Sequence, residues 1–562
     1  MSKLRILGWS LTLLAAGEAA TACASPGTAA GPRVAAAEQA YAAMLDAYGA
    51  RNAIESGLTA EIGGRSLVVW RVTFSKQRAV LLAQLRGLTD VPDLPAGDAR
   101  VVRSLSSGLE YFGGESGETR TAHCADAARP GAVESALSDA LTACFSERGD
   151  HVAFEGREMT RIAALGELQH LKSSASRKRL FLALQPLWRA INGDDGAASP
   201  YRRLIAEAAA GERANGSPID AAARALGWST QSLEAALVQT LAAWRRSAVT
   251  GTIEPWDYWF RYAAASRTLD PLVPRAKLKG ITERFYGDLG ADPRRLGVVY
   301  DLEPRAGKPP SAYTDFIRIG RPRRGVWRPA QVRVCASEST GGLFILDELV
   351  HESGHAVHLM AIRARPAYFW PDLFLAEAFA NVPAWSIDEP AWQLEYLGRA
   401  ASRSESLRER YAGVMLDMAW SLFEIRMLRH PDSDPNQVWT RITSHYLGIT
   451  PHPEWSWWAL RVQLVSMPGY MVNYGAGAML TADLRARIRQ GIGPFDTGNP
   501  EWYPWVSEHL LRFGSSLPVA QLLEQFLGRE PSDAAVLADI ERIRAPAAAA
   551  TVPYTTGGEP CR

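Results

Sequence analysis

The chain has 562 residues, of which 47% are hydrophobic, and 61 Lys and Arg against 60 Asp and Glu leave a formal charge of +1. This length allows a large buried core and is too long for one small domain. The charge balance excludes an electrostatic nucleic-acid binder, because no basic excess is present to neutralise phosphates.

The N-terminus is typical of an export signal. Lys3 and Arg5 precede a short apolar run over residues 6–16, and small residues follow it. The run is too short to span a bilayer. Cleavage after Ala24 would remove residues 1–24 as a signal peptide, and Cys23 is the alternative site, where lipidation would anchor the chain. We therefore expect an exported protein, periplasmic or secreted, either released or held as a lipoprotein.

The remaining cysteines form an even set of four, which permits two disulfides in an exported chain. Proximity in sequence favours Cys124 with Cys144, which leaves Cys335 with Cys561. No CxxC spacing is present, so we expect no cysteine-based zinc site.

Changes in composition and hydrophobic periodicity along the sequence predict four regions after the signal peptide. A flexible leader (25–33) precedes an N-terminal helical region (34–270). A catalytic region (271–544) follows, and an Ala/Pro/Gly-rich stretch (545–562) reads as an extended tail. Short β-branched runs within residues 296–337 predict one small sheet. The sequence therefore predicts a mainly α protein with a small sheet beside its centre.

The motif that carries chemistry is an HExxH sequence, His351-Glu352-Ser353-Gly354-His355. Apolar residues recur at intervals of three and four around it, which predicts an amphipathic helix. Residues four apart share one helix face, so His351 and His355 can bind one Zn²⁺. Glu352 would stand beside the metal and take a proton from the zinc-bound water.

A catalytic zinc needs a third protein ligand and an open position for water. Glu377 is the candidate, because its apolar neighbours predict a buried helix in which an unpaired carboxylate would be costly. The alternative for Glu377 is a buried ion pair with an arginine. Asp372 is the competing ligand, but it falls at the expected helix start, where capping explains it.

Two further polar residues lie one helical turn from the histidine ligands. We expect His358 to be a core histidine or to support a ligand, and not to bind metal itself. Asp347 could accept a hydrogen bond from a ligand imidazole or simply be solvated.

Several blocks resemble the thimet oligopeptidase and oligoendopeptidase F family of gluzincin metallopeptidases, and one resembles the carboxypeptidase Taq family. The resemblance spans residues 256–484. The first family is matched by HESGHAVH at 351–358, PWDY at 255–258 and YDLEPRAGK at 300–308, and the second by GYMVNYGAGAM at 469–479.

This resemblance implies a prolate, two-lobed helical body with one zinc ion at the floor of a deep central cleft. It implies cleavage of short peptides, and a strand at 331–336 that pairs with the substrate backbone. It also implies that Tyr470 and Tyr474, four residues apart and facing one side of a helix, assist catalysis by donating to the oxyanion. Tyr474 is the stronger candidate of the two.

One departure from the family concerns a histidine often found about ten residues before these tyrosines. Here that stretch is 461–465 and contains none. Two alternatives to a zinc peptidase stay open at this point. They are a non-catalytic exported peptide-binding protein and a zinc hydrolase that acts on a non-peptide amide.

Overall fold

A computed structural model describes residues 31–544 except for a few short gaps. The gaps are 90, 92–93, 113–121, 130, 132, 194–195, 197, 216, 306–307, 309–311 and 337–339. The signal peptide, Cys23, most of the leader and the C-terminal tail lie outside the described residues, so those assignments stay predictions.

Helices dominate both halves of the chain. Those of the N-terminal half are α1 Gly31–Glu55, α2 Leu67–Thr89, α3 Ala96–Phe112, α4 Glu134–Cys144, α5 Arg161–Leu168, α6 Ser174–Ala183, α7 Gln185–Asn192, α8 Pro200–Asn215, α9 Pro218–Ala225, α10 Thr230–Ser247, α11 Tyr258–Tyr262 and α12 Ala264–Leu269. Those of the C-terminal half are α13 Leu278–Asp288, α14 Pro293–Leu296, α15 Leu343–Ala361, α16 Leu373–Ala384, α17 Pro390–Leu397, α18 Arg403–Arg429, α19 Pro435–Ile442, α20 Gln463–Ser466, α21 Val472–Ile492, α22 Trp502–His509, α23 Val519–Leu527 and α24 Ala534–Arg544.

The core is organised around α18, which is buried over most of residues 415–428 and packs on α10, α19, α21 and α24. Its N-terminus is fixed by a capping box. Ser402 accepts the backbone N–H of Glu405, and the Glu405 carboxylate accepts the backbone N–H of Ser402. Because buried residues lie on every side of its C-terminal half, that half of α18 lies inside the helical body.

The strands are short. They are β1 Glu61–Ile62, β2 Arg65–Ser66, β3 Val152–Phe154, β4 Arg157–Met159, β5 Val299–Asp301, β6 Tyr313–Arg318, β7 Arg321–Arg323, β8 Val326–Arg328 and β9 Gln331–Cys335. The largest sheet has the order β5-β9-β6, with β9 parallel to β5 and antiparallel to β6. It lies where the β-branched runs predict it, and the mainly α fold is confirmed. The two-lobed shape with a deep cleft stays a prediction.

Of the two expected disulfides, the structure contains Cys124–Cys144. Cys335 instead carries a free thiol, buried in the central strand β9 beside Asp301. Its expected partner, Cys561, lies outside the described residues. The pairing of Cys335 with Cys561 therefore stays a prediction, and in the described residues Cys335 is buried in a strand that is paired on both sides. In the described part of the chain, no helix has the length and apolar character needed to cross a bilayer.

The small sheet is held against α1 by a close backbone approach at Gly49. A Cβ at this position would lie 2.3 Å from the carbonyl oxygen of Phe316 and 2.8 Å from that of Ile317. A glycine is therefore required for α1 to pack on β6, the strand that also faces the site described below.

We expect Gly49→Ala to destabilise the protein by about 1–3 kcal/mol, because the added methyl group would overpack against β6. Gly413→Ala is the matched control. Gly413 is an exposed residue of α18 with open space around its Cα, so alanine should be neutral or stabilise by about 0.5–1 kcal/mol. Denaturant unfolding of both variants measures the difference, and equal stabilities would contradict the close approach.

Candidate metal centre

The two histidines of the HExxH sequence lie on α15, as the apolar periodicity predicts. Leu346, Leu349 and Val350 are fully buried on its core face. The Nε2 atoms of His351 and His355 lie 3.1 Å apart. Within the described residues, one group of metal-binding side chains brings its ligand atoms within 4.8 Å of one another, namely His351, Glu352 and His355.

Glu377 of α16 joins this group from the neighbouring helix. Its Oε2 lies 3.5 Å from Nε2 of His351 and 3.9 Å from Nε2 of His355. Zinc–ligand distances of about 2.0–2.1 Å in a tetrahedral site place ligand atoms roughly 3.3 Å apart. The three donor atoms therefore fit the ligand set of one zinc ion, two imidazoles and a carboxylate.

Gly354, inside the motif, lets α16 approach closely enough for this contact. A Cβ at Gly354 would lie 2.8 Å from the Cα of Ala380 and 2.9 Å from its carbonyl oxygen. Ala380 lies one turn after Glu377, so the glycine and the third ligand occupy facing positions. The spacing between α15 and α16 is thus set at the metal centre itself.

The alternatives for the third ligand are not seen. Asp372 caps α16 by accepting the backbone N–H of Leu375 at 3.1 Å, as the sequence predicts. In the part of the chain that the structure describes, no arginine forms an ion pair with Glu377. Its other carboxylate oxygen, Oε1, accepts the phenol O–H of Tyr470 at 3.0 Å.

The electrostatics of the two imidazoles differ, because Glu377 favours a positive charge on His351, whereas burial disfavours one on His355. Burial lowers the pKa of His355 to about 4. Burial also acts to lower the pKa of His351, but the hydrogen bond and charge of Glu377 outweigh it and raise that pKa to about 9.

His358 behaves as a core residue, since burial lowers its pKa to about 3 and its ring packs edge-on against Phe379.

Asn381 orients the first imidazole. Its Oδ1 lies 3.0 Å from Nδ1 of His351, and its Nδ2 donates to the carbonyl oxygen of Glu377 at 3.2 Å. An N–H at Nδ1 leaves the Nε2 lone pair facing the other ligands, which is the tautomer that metal binding requires. Asp347, the partner considered from the sequence, is not the acceptor. Asn381 takes this role because α16 packs against that side of the ring.

Glu352 is buried beside the ligands and is held by the small sheet. The hydroxyl of Thr314 of β6 contacts two acceptors of this residue, with Oγ1 2.8 Å from Oε2 and 2.7 Å from the backbone carbonyl oxygen. Burial raises the pKa of Glu352 to about 7, although His351 opposes the shift. A carboxylate with such a pKa can both accept and return a proton near neutral pH.

Tyr470 and Tyr474 meet edge to face, with ring centroids 5.7 Å apart. They do not share one helix face, because α21 begins at Val472 and Tyr470 lies in the preceding turn. Tyr470 contacts Glu377, whereas the Tyr474 hydroxyl accepts a hydrogen bond from Gln463 at 3.3 Å. Tyr470 is therefore the tyrosine that contacts a candidate ligand, and the order expected for the oxyanion role, with Tyr474 first, stays a prediction.

The turn that carries Tyr470 is anchored to α18 through Met471. The backbone N–H of Met471 donates to the buried Glu424 at 2.8 Å, and its carbonyl oxygen accepts the hydroxyl of Ser421 at 2.6 Å. Near this turn, where the family often has a histidine, Arg461 lies over the Tyr474 ring and pairs with Asp417 at 2.6 Å.

The strand expected to bind substrate needs a correction. The resemblance assigns this role to residues 331–336, but β9 is paired with β5 on one side and with β6 on the other. A strand enclosed on both sides has no free backbone groups for a substrate. The edge strands of this sheet are β5 and β6, and β6 reaches the site through Thr314.

Sequence reasoning missed two residues of the site. Asn381 lies four residues after Glu377, so the helical spacing that pairs the two histidines could have found it. Thr314 gives no local signal, because its contact with Glu352 joins residues 38 positions apart.

Comparisons with known proteins agree with this geometry. The sequence profile of peptidase family M3 matches residues 294–542, which contain all the site residues described above. The predicted resemblance to a gluzincin metallopeptidase is thereby confirmed. No curated protein matches the chain in sequence.

Solved structures share the fold over most of the chain. One is the M32 carboxypeptidase from Deinococcus radiodurans R1, with 14% identity and a TM-score of 0.50, covering 91% of this chain and 99% of that one. A protein assigned as oligoendopeptidase F has 16% identity and a TM-score of 0.54, covering 90% and 95%. PZ peptidase A, solved with an inhibitor, has 14% identity and a TM-score of 0.55, covering 91% and 96%. At these identities the likeness shows the fold, including that of the N-terminal half.

We expect Gly354→Ala to reduce zinc retention, because the methyl group would push α16 and its Glu377 away from the histidines. Zinc content after dialysis, measured by atomic absorption, should fall by at least half relative to wild type. Gly413→Ala again serves as the control and should retain wild-type zinc. A Gly354→Ala protein with full zinc and unchanged affinity would contradict the role of this close approach.

Asn381→Ala should weaken zinc binding by about 10–100-fold, the usual cost of losing the partner that orients a ligand imidazole. Competition with a chelator of known affinity measures the change. Asn381→Asp keeps an acceptor for Nδ1–H and should lose much less. Equal zinc affinities for the alanine variant and the wild type would show that Asn381 does not set the tautomer.

Proposed function

We propose that the protein is a zinc-dependent peptidase that hydrolyses short peptides, with Glu352 as general base. The observation that carries this proposal is the convergence of Nε2 of His351, Nε2 of His355 and Oε2 of Glu377 on one point, with the buried Glu352 carboxylate beside them. The family match and the shared fold support it.

The donor set supports zinc as the metal. Two imidazole nitrogens and one carboxylate oxygen are typical of catalytic zinc sites that keep one position open. His351, His355 and Glu377 would hold one ion. When bound, zinc would polarise the scissile carbonyl group and lower the pKa of a water molecule toward roughly 7.

Glu352 would move the protons in this reaction. It accepts a proton from the attacking water and then returns it to the leaving amine nitrogen. Thr314 fixes the carboxylate through Oε2, so its orientation is set before substrate arrives. This preorganisation supports a catalytic role, because a non-catalytic binding protein would not require a buried acid held in a fixed orientation beside the metal ligands.

The tyrosines would assist as hydrogen-bond donors. Burial and the charge of Glu377 raise the pKa of Tyr470 well above its ordinary value, so the phenol keeps its proton at neutral pH. In the resting structure its O–H donates to Glu377. During the reaction it could donate to the developing oxyanion, and Tyr474, one turn along, is the second candidate for this role.

We also propose that the protein is exported. The signal-like N-terminus predicts this location, and the Cys124–Cys144 disulfide supports it, because structural disulfides persist mainly in oxidising compartments.

Glu352→Gln should retain zinc and lose peptide hydrolysis by about 10²–10⁴-fold in kcat, since the amide cannot accept the proton from water. Turnover of a fluorogenic peptide mixture and zinc content measure the two effects separately. Glu207→Gln, an exposed change on α8, is the matched control and should keep full activity. Removing zinc from wild type with a chelator should abolish turnover, and adding zinc should restore it.

A fully active Glu352→Gln protein would rule out Glu352 as the base. Zinc-loaded wild type that cleaves no peptide would favour the peptide-binding alternative. Cleavage of non-peptide amides alone would favour the third candidate, the hydrolase of such amides.

A further inference from the structure

A cavity of about 480 Å³ lies between α3 and the segment that leads from the metal helix into α16. This volume falls within the range of small-molecule sites, about 300–1,000 Å³. Its wall combines aromatic rings with two cationic side chains. The residues that matter here are Arg100, Arg103, Tyr111, Tyr368, Trp370 and Leu373.

The cavity is cationic. Two arginines, Arg100 and Arg103, line it, and none of the described lining residues carries a carboxylate. The nearby acid Glu38 is already engaged, since it accepts hydrogen bonds from Nε of Arg365 at 2.8 Å and from the backbone N–H of Ala367 at 3.3 Å. An anionic group at the end of the cavity formed by Arg100 and Arg103 would therefore meet two guanidinium groups, whereas the acid Asp315 acts on the cavity at Tyr111.

Arg100 is held in place before any ligand arrives. Its Nη2 donates to the carbonyl oxygen of Ser515 at 3.2 Å, and its guanidinium carbon lies 5.3 Å from the centre of the Tyr368 ring. These contacts leave further N–H donors of a five-donor group for a ligand. Arg103, one turn along α3, is exposed at the rim.

Two elements connect the cavity to the metal centre. Leu373 lines the cavity and lies one turn before Glu377 on α16, an axial rise of about 6 Å. Trp370 packs on Phe316, with ring centroids 5.9 Å apart, and Phe316 lies about 7 Å along β6 from Thr314. The end of the cavity lined by Leu373 and Trp370 therefore lies one helical turn from Glu377 along α16 and contacts the strand that carries Thr314.

We propose that this cavity binds a carboxylate of the peptide substrate, which makes Arg100 and Arg103 specificity-determining residues. The inference rests on the proposed peptidase function. Arginine forms charge-assisted, often bidentate hydrogen bonds with carboxylates, and the surrounding rings would contact the apolar part of the same substrate residue. The carboxylate comes either from the peptide C-terminus or from an acidic side chain, and substrate chemistry separates these two sources.

The test uses zinc-loaded full-length protein and a family of peptides with one sequence. One pair carries a free or an amidated C-terminus, and another set carries Glu or Gln at each of three positions on either side of the cleaved bond. Wild type should show at least a tenfold higher kcat/KM for one carboxylate-bearing peptide over its neutral counterpart. Whether the free C-terminus or the Glu peptide shows this preference identifies the source of the carboxylate.

Arg100→Ala and Arg103→Ala should bring the ratio of kcat/KM values toward one. The Arg103→Glu enzyme should instead prefer a Lys-containing peptide. Arg323→Ala, an exposed change on the β7–β8 hairpin, should leave the wild-type ratio unchanged. Zinc content and melting temperature of each variant report whether it folds. Arg103 is exposed, so its variants test the proposal even where Arg100→Ala unfolds.

Wild-type ratios in folded Arg103 variants, or no carboxylate preference in wild type, would overturn the cavity proposal while peptide cleavage still stands. Failure of the peptidase function has a different signature, because zinc-loaded wild type would then cleave none of the peptides.

Discussion

The site depends on the close approach of two helices, α15 and α16. Two imidazoles at i and i+4 can bind a metal from α15 alone, but a catalytic zinc needs a third ligand, and the candidate for it, Glu377, comes from the second helix. Gly354 permits the contact by leaving space for the backbone of Ala380. The same contact brings Asn381 to His351. The packing of α16 on α15 therefore places both the candidate ligand Glu377 and the group that orients the His351 imidazole.

The rest of the fold supports this contact from several directions. The small sheet places Thr314 on Glu352, and α1 holds that sheet through the Gly49 approach. The long buried helix α18 anchors the turn at Met471 and so positions Tyr470 on Glu377. Glu352 and Glu377 thus each have a hydrogen-bond partner, which is the condition under which burying a charge is tolerated.

The parts of the structure that could be predicted from sequence are those set by local spacing. Helical periodicity predicted α15, apolar neighbours singled out Glu377, and the helix-start position explained Asp372 as a cap. The parts that could not be predicted depend on contacts between distant residues. The order of the strands and the helices that cover the sheet determine three of these features. They are the central position of β9, the contact of the Thr314 hydroxyl with Glu352 and the burial of the free Cys335 thiol. The two tyrosines point in different directions because α21 begins between them, and helix ends are set by packing as much as by sequence.

X-ray absorption spectroscopy at the zinc edge, with metal stoichiometry on the same sample, tests the central claim most directly. The account predicts one zinc ion per chain, with a coordination shell that contains two imidazoles and oxygen ligands at about 2.0–2.1 Å. Protein that binds no zinc after reconstitution, or zinc whose shell lacks histidine, would contradict it.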